Sequence, residues 1–257
     1  MKMTVTQMSD DRDLFSQEWG RLREHVKAAQ SDLVLLPEMP FDSWFCAEPK
    51  YDAGVWGRAV ESHQKWVGRL PELGVGIVLG SRPVDRGGLR LNEGFAWRKD
   101  GETKAVHVKS YLPDEAGYYE ARWYQRGDRT FRPFEEGGAK MGLMICSDLW
   151  ALTKAREYGK QGVQMIAVPR ATGRGSVEKW VTGGKAAAIV SGAFCLSSNR
   201  TGKRGEAEFG GRGWVVGPDG DVLGLTNEES PFVTVTVDPA EADRAKGRHP
   251  RDVLGPD

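Results

Sequence analysis

The sequence has little of several features that mark particular classes of protein. Its 257 residues contain 36 basic and 36 acidic side chains. The chain therefore lacks the excess of Lys and Arg with which proteins bind nucleic acids and membrane surfaces. It also lacks an apolar run of about 18 residues, the length that a transmembrane helix needs. We expect a protein that binds neither nucleic acid nor membrane.

Cysteine and histidine are also scarce. Three cysteines stand far apart, at positions 46, 146 and 195, and the four histidines do not cluster with them. This pattern is neither a disulfide framework nor a zinc site, and it fits a reduced protein. The opening Met-Lys-Met-Thr-Val-Thr indicates a strand rather than the apolar core of a signal peptide. We therefore expect a cytoplasmic location and no metal site.

What the sequence does contain is an alternation of strand and helix patterns along its length. Four segments carry apolar residues at helical spacing: 11–29, 54–70, 149–161 and 176–191. Asp-Gly pairs at 100–101 and 219–220 predict hairpin turns, and the residues from Pro239 onward resemble a polar tail. Because no linker or low-complexity segment divides the chain, we predict a single α/β domain over residues 1–257.

Cys146 is the most informative residue of the chain. It ends an apolar run over residues 141–145, and Ser147 and Asp148 follow at the start of a helical pattern. A thiol at a strand end, on a sharp turn into a helix, is well placed to act as a nucleophile. The next backbone N–H then faces the same point. A single thiol without further context is more often an inert core residue.

Two other predicted strands end in charged residues. Glu38 follows residues 33–37 and precedes an apolar, aromatic loop, surroundings that suit a general base working near neutral pH. Lys109 ends the run 105–108 and precedes a long loop that contains Glu120. Taken singly, these residues could be a solvated loop carboxylate and an edge-strand lysine.

Together the three segments resemble the nitrilase, or carbon–nitrogen hydrolase, superfamily, whose defining set is a Glu, a Lys and a Cys at successive strand ends. Glu38, Lys109 and Cys146 match in order, spacing and context, and the resemblance extends over nearly the whole chain. Two segments, Pro113-Asp-Glu-Ala-Gly-Tyr-Tyr-Glu120 and Cys146-Ser-Asp-Leu-Trp150, are similar to the N-carbamoylputrescine amidohydrolase branch. The aliphatic amidase branch is also similar in motif.

The resemblance implies a four-layer α-β-β-α sandwich, a homodimer or higher homo-oligomer, and hydrolysis of a small amide or N-carbamoyl amine with release of ammonia. Glu38 would be the general base and Cys146 the nucleophile that forms a thioester. Lys109 and the Ser147 N–H would stabilise the oxyanion. Glu120 would hold Lys109 or the substrate NH2 group, so that Lys109 lies between two glutamates. No metal or organic cofactor is required.

Five side chains are candidates for substrate binding: Trp44, Tyr119, Trp123, Trp150 and Arg170. The four aromatic residues could instead belong to the core. Arg170 could bind a substrate carboxylate in a bidentate manner or pair with a nearby acidic residue. The chain also departs from the family pattern, because Ala151-Leu-Thr153 replaces the usual Phe-Pro-Glu after the cysteine turn. This departure leaves the substrate open.

Three alternatives remain at this stage. The same triad could attack a small nitrile, or the chain could be a catalytically weak scaffold or ligand-binding member of the fold. His107 shares a strand face with Lys109 and could form a cysteine-protease-type dyad with Cys146. Loss of activity in Glu38→Gln would favour the triad, and loss in His107→Ala alone would favour the dyad.

Overall fold

Thirteen β-strands form the centre of the structure, a computed structural model that describes residues 1–253. The strands are β1 (Lys2–Ser9), β2 (Leu33–Leu35), β3 (Ile77–Arg86), β4 (Leu89–Arg98), β5 (Thr103–Val108), β6 (Phe134–Glu136), β7 (Ala139–Leu143), β8 (Met165–Pro169), β9 (Phe194–Arg204), β10 (Ala207–Gly210), β11 (Trp214–Val216), β12 (Val222–Leu225) and β13 (Phe232–Thr236). The α-helices are α1 (Arg12–Ala29), α2 (Ala53–Val67), α3 (Glu120–Trp123), α4 (Leu152–Lys160), α5 (Val177–Ser191) and α6 (Pro239–Lys246). Short 3₁₀ turns cover Phe45–Ala47, Leu70–Leu73, Cys146–Trp150, Arg174–Ser176 and Arg251–Val253.

The strands form two halves that meet at β1 and β9. One half has the order β13-β1-β2-β3-β4-β5, and the other has the order β6-β7-β8-β9-β11-β12. Residues 7–9 of β1 pair in parallel with residues 199–201 of β9. Ser198 strengthens this junction, because its Oγ accepts from the Thr6 N–H at 2.8 Å and donates to the Leu35 carbonyl at 2.7 Å.

The two halves face each other across an apolar layer. Met3, Val5 and Leu35 of one half belong to the same buried cluster as Met141 and Met165 of the other. Alternating strand residues point to opposite faces, so the other face of each half needs a cover of its own. The helices supply that cover.

Helices cover both outer faces. On one side Trp19 and Leu22 of α1 are buried with Val34 and Val78 of the first half. On the other side α5 lies directly on β11, where a Cβ at Gly184 would lie only 2.6 Å from the Trp214 indole nitrogen. The order of layers is therefore α-β-β-α, as the resemblance implied. No helix within residues 1–253 is long and apolar enough to cross a membrane.

Two local expectations change in the structure. The segment after Pro239 is not simply a polar tail but begins with helix α6, because Asp238 caps the Ala240 N–H at 3.1 Å and proline is tolerated in a first helical turn. The helix after Cys146 is split into a 3₁₀ turn and α4.

Candidate active site

The three predicted catalytic residues follow three different strands and meet at one place. Glu38 follows β2, and its backbone N–H donates to the Arg170 carbonyl at 3.2 Å. Lys109 follows β5, and its N–H donates to the Asn92 carbonyl of β4 at 3.0 Å. Cys146 follows β7. Because β2 and β5 belong to one half and β7 to the other, the site lies where the two halves meet.

Lys109 lies between two carboxylates. Its Nζ is 2.7 Å from Glu38 Oε1 and 2.5 Å from Glu120 Oε2, and all three side chains are 0% exposed. Burial alone would lower the pKa of Lys109, but Glu120 and Glu38 raise it well above its ordinary value. The lysine is therefore a fixed buried cation. This is the placement expected from the sequence, and the catalytic roles of the three residues remain predictions.

In each glutamate, one carboxylate oxygen accepts hydrogen bonds from the protein and the other oxygen has no partner among the described residues. Asn92 Nδ2 donates to Glu38 Oε1 at 2.8 Å, and the Tyr124 hydroxyl donates to Glu120 Oε2. Within residues 1–253, Glu38 Oε2 and Glu120 Oε1 have no hydrogen-bond partner. Burial, with the nearby charge of Glu38, raises the pKa of Glu120 to about 7. Two buried acceptors are thus open to a bound molecule.

Cys146 occupies a strained backbone position. Its φ is +49°, in the left-handed region that residues other than glycine rarely adopt, and such strain is concentrated at functional sites. The side chain is 3% exposed, and Sγ lies 3.9 Å from the Ala171 carbonyl. Burial, and then Glu38, raise the pKa of the thiol well above its ordinary value, and Lys109 opposes them. The thiol thus keeps its proton at neutral pH until a base removes it.

Asp148 ties the turn that carries Cys146 to the loop that follows Lys109. Its Oδ1 accepts from the N–H groups of Ser110 at 3.1 Å and Tyr111 at 3.0 Å, and its Oδ2 accepts from the Ile145 N–H at 3.1 Å. The side chain is fully buried. One carboxylate therefore fixes two backbone segments against each other.

The structure does not support a dyad between His107 and Cys146. The His107 Nε2 lies 2.8 Å from Asp148 Oδ2, and both side chains are almost completely buried. The thiol of Cys146 instead points to the Ala171 carbonyl. His107 is a supporting residue of the Asp148 carboxylate.

The predicted aromatic pocket residues differ in their positions. Trp44 and Trp123 are 1% and 0% exposed, and their indole N–H groups donate to backbone carbonyls, so the structure favours the core explanation for both. Trp150 is 48% exposed and lies against Trp180 of α5, with ring centroids 5.0 Å apart. Tyr119 is partly buried beneath the Arg122 guanidinium. Substrate contact by Tyr119 or Trp150 remains a prediction.

Arg170 lacks the acidic partner that the sequence suggested. It is 0% exposed, and its guanidinium donates to Ser197 Oγ at 2.7 Å, Thr172 Oγ1 at 2.6 Å and the Arg212 carbonyl at 2.7 Å. No carboxylate within residues 1–253 forms an ion pair with it. The expectation of an acidic partner was wrong, because all three guanidinium bonds go to neutral oxygens, whereas binding of a substrate carboxylate by Arg170 remains a prediction.

Sequence reasoning missed Tyr118. Its hydroxyl is buried without a hydrogen-bond partner among the described residues. Burial raises the pKa of Tyr118, and the nearby Cys146 raises this pKa further. The Tyr118 hydroxyl is therefore close enough to the Cys146 thiol for their charges to interact. The sequence predicts the neighbouring Tyr119 instead, because it does not show which tyrosine of a Tyr-Tyr pair points inward.

A cleft of about 590 Å³ is lined by Ser147 and Tyr124, which are neighbours of the site, but by none of Glu38, Lys109 and Cys146. A larger groove of about 1110 Å³ runs past Arg174 and Phe209 but is not lined by the triad. Within residues 1–253, no group of three His, Cys, Asp or Glu side chains could hold a metal ion. The chemistry present is that of a thiol, two carboxylates and an ammonium group.

This fold and this set of groups define a hydrolase of C–N bonds. The chain belongs to the carbon–nitrogen hydrolase family, whose model matches residues 3–246. It is 26% identical over 250 residues to the N-carbamoylputrescine amidase of Arabidopsis thaliana, which covers 88% of this chain and 82% of that relative. The expected superfamily and enzyme class are thus confirmed.

Solved structures show the same fold. A carbon–nitrogen hydrolase from Helicobacter pylori G27 superimposes with a TM-score of 0.87 at 23% identity, covering 99% of this chain and 95% of that chain. A mutant amidase from Nesterenkonia sp. AN1 gives a TM-score of 0.76 at 21% identity, covering 97% and 94%. That structure shows covalent addition of the acetamide moiety of fluoroacetamide at the active-site cysteine of that protein.

Proposed function

We propose that this enzyme hydrolyses a small amide or N-carbamoyl amine, releasing ammonia, through Glu38, Lys109, Cys146 and a thioester intermediate. The observation that carries the proposal is the buried ammonium of Lys109, 2.7 Å from Glu38 and 2.5 Å from Glu120. A cation fixed between two carboxylates at the end of a strand is costly as a structural feature, and it suits an oxyanion that develops beside it. The whole chain, residues 1–257, is proposed to be one domain of this kind.

The first step is removal of the thiol proton. Glu38 accepts the proton of Cys146, and the resulting thiolate attacks the carbonyl carbon and forms a C–S bond. The raised pKa of Cys146 makes this base necessary, because very little thiolate exists without it at neutral pH.

The second step is loss of the nitrogen. Negative charge moves to the carbonyl oxygen, where the Lys109 ammonium and the Ser147 N–H stabilise it. Protonated Glu38 then gives its proton to the nitrogen, the C–N bond breaks, and ammonia leaves an acyl-thioester on Cys146. Glu120 holds Lys109 in place, and its free Oε1 can accept from the substrate NH2 group.

The third step is hydrolysis of the thioester. Glu38 takes a proton from a water molecule, and the hydroxide attacks the acyl carbon. The C–S bond then breaks, the thiolate recovers its proton, and the acid product departs. Each proton that Glu38 accepts is returned, so the cycle needs no cofactor.

The substrate class rests on two sources of support. The Gly-Tyr-Tyr-Glu120 loop is similar to the carbamoylputrescine branch, and the Arabidopsis relative carries that branch's name. The Nesterenkonia protein is named as an amidase. Hydrolysis of a small nitrile remains the alternative reaction of the same triad, and a catalytically weak scaffold or ligand-binding protein remains the alternative role.

Release of ammonia from a panel of small amides, N-carbamoyl amines, ureas and nitriles tests this proposal. We expect release from an amide or carbamoyl compound by the native enzyme and none by Cys146→Ala. Cys195→Ala is the matched control, since it removes an equally buried thiol that is not at the site. Release that persists in Cys146→Ala would contradict the proposal, and a folded protein with an unreactive Cys146 would favour the scaffold.

Two further proposals concern the oligomeric state and the location of the enzyme. We propose a homodimer or higher homo-oligomer, which the family resemblance supports and which sedimentation velocity would test. We also propose a cytoplasmic location, supported by three buried cysteines that are all free thiols.

A further inference from the structure

Arg170 is a buried cation that forms no ion pair with any carboxylate of residues 1–253. It lies at the end of β8 and is 0% exposed. Its three hydrogen bonds go to two hydroxyl groups and a carbonyl, and the guanidinium lies 4.0 Å from the ring centroid of Trp214. Burial lowers the pKa of Arg170 to about 9, so the group remains charged at neutral pH. An unpaired buried charge is expensive and needs an explanation.

The backbone around Arg170 contacts both the base and the nucleophile. The Arg170 carbonyl accepts from the Glu38 N–H at 3.2 Å, and the next carbonyl, that of Ala171, lies 3.9 Å from Cys146 Sγ. The guanidinium fixes this segment by its bond to Thr172 Oγ1 at 2.6 Å. A change at Arg170 is therefore transmitted directly to Glu38 and Cys146.

The charges of the site also point to a role for Arg170. When both carboxylates are ionised, Glu38 and Glu120 carry two negative charges and Lys109 carries one positive charge, so the group has a net charge of minus one. Transfer of the Cys146 proton to Glu38 leaves that net charge unchanged. Arg170 brings the total to zero. The titratable groups that act on Arg170 are Cys146 and Cys195, and a thiolate at either position favours the charged guanidinium.

We propose that Arg170 is a positioning residue of the reaction, whose fork fixes residues 170–172 against Glu38 and Cys146 and whose charge favours the Cys146 thiolate. This inference rests on the proposed function, because it assumes that Cys146 is the nucleophile. A purely structural Arg170 would affect stability but would not change the protonation of the thiol.

The pH dependence of Cys146 alkylation by iodoacetamide tests the proposal without knowledge of the substrate. The thiolate attacks the methylene carbon, a C–S bond forms and iodide leaves, so the rate follows the thiolate fraction. Arg170→Met should move the midpoint upward by roughly 1 pH unit, the ordinary size of an environmental shift, because a positive charge that favours the thiolate is lost. Arg170→Lys keeps the charge, so its midpoint should stay close to that of the native enzyme.

A second pair of variants covers the case in which Arg170→Met does not fold. Ser197→Ala removes the acceptor of Arg170 Nε, and Ser191→Ala removes an equally buried serine hydroxyl that bonds only within and just after α5. We expect Ser197→Ala to lower kcat about tenfold with little change in KM, and Ser191→Ala to leave both unchanged.

Two outcomes would overturn the proposal. The first is an unchanged alkylation midpoint in folded Arg170→Met, and the second is equal kcat in Ser197→Ala and Ser191→Ala. Failure of the proposed function is distinguishable, because Cys146 of the native protein would then resist iodoacetamide at every pH.

Discussion

At the scale of single residues, the site is a buried cation between two buried carboxylates, and replacing any one of the three leaves the charges unbalanced. Lys109 is balanced by Glu38 and Glu120, and the side chains of all three are fully buried. Removing one member leaves a buried charge without compensation, which costs more than the intact group contributes. Catalysis and stability are therefore coupled at these positions.

Lys109→Met should abolish activity and destabilise the protein by about 3–5 kcal/mol, since two buried carboxylates lose their counter-charge. Urea unfolding measures the loss. Lys65→Met is the matched control, because Lys65 pairs with Glu61 on the surface at 2.8 Å and such pairs contribute about 0–1 kcal/mol. Equal free energies of unfolding for the two variants would show that the Lys109 cluster is not a buried ion group.

The carboxylate pair should set the acid limit of activity. The pKa of Glu120 is raised to about 7, so the pair takes up a proton as the pH falls through that value and kcat/KM should fall with it. In Glu120→Gln the like charge beside Glu38 is gone. The acid limb of the residual activity should therefore move to lower pH. A pH–rate profile of each enzyme checks this, and an unmoved limb would contradict it.

The sequence was most informative where a residue's position follows from the chain itself. Glu38, Lys109 and Cys146 are predictable because each ends an apolar run. Tyr118 and Arg170 are not, because whether a side chain points into a pocket or into the core depends on neighbours far away in sequence, such as Trp214 beneath the Arg170 guanidinium.

At the scale of elements, the nucleophile depends on the turn between β7 and α4. Cys146 has a positive φ, which costs roughly 1–2 kcal/mol for a residue with a side chain. Asp148 supplies compensation by accepting from three backbone N–H groups and from His107. The sequence alone does not predict this role for Asp148, because its partners after β5 lie about forty residues away in the chain.

Asp148→Asn should lower kcat at least about tenfold and destabilise the protein by about 1–3 kcal/mol. An amide cannot accept from all four donors, and each unsatisfied buried donor carries a cost of this size. Kinetics and urea unfolding measure the two effects. Asp100→Asn is the control, since Asp100 is an exposed turn residue that accepts from one backbone N–H and forms only a surface ion pair with Arg98. Activity in Asp148→Asn equal to that of the control would show that the turn keeps its geometry without the carboxylate.

At the scale of the whole molecule, the site spans the junction of the two halves. Glu38 and Lys109 follow strands of one half, and Cys146 follows a strand of the other. The sequence alone supported an α/β class and the hairpins. The pairing of β1 with β9, separated by almost two hundred residues, leaves no local pattern, so the four layers could be expected only from the family resemblance.

Ser198→Ala tests whether the junction holds the catalytic groups in register. The hydroxyl bonds Thr6 and Leu35, so its loss should cost about 1–3 kcal/mol and lower kcat more than KM changes. Ser16→Ala, which removes an exposed hydroxyl of α1, should change neither. A loss of stability with unchanged kcat would mean that the junction contributes to folding alone.

The central claim is that the reaction passes through a thioester on Cys146 that Glu38 helps to form and to break. Intact-mass spectrometry of acid-quenched enzyme during turnover of the best amide tests it directly. The account predicts an acyl adduct that peptide mapping places on Cys146, absent from Cys146→Ala. Ammonia release without any adduct on Cys146, or with an adduct on another residue, would contradict the account.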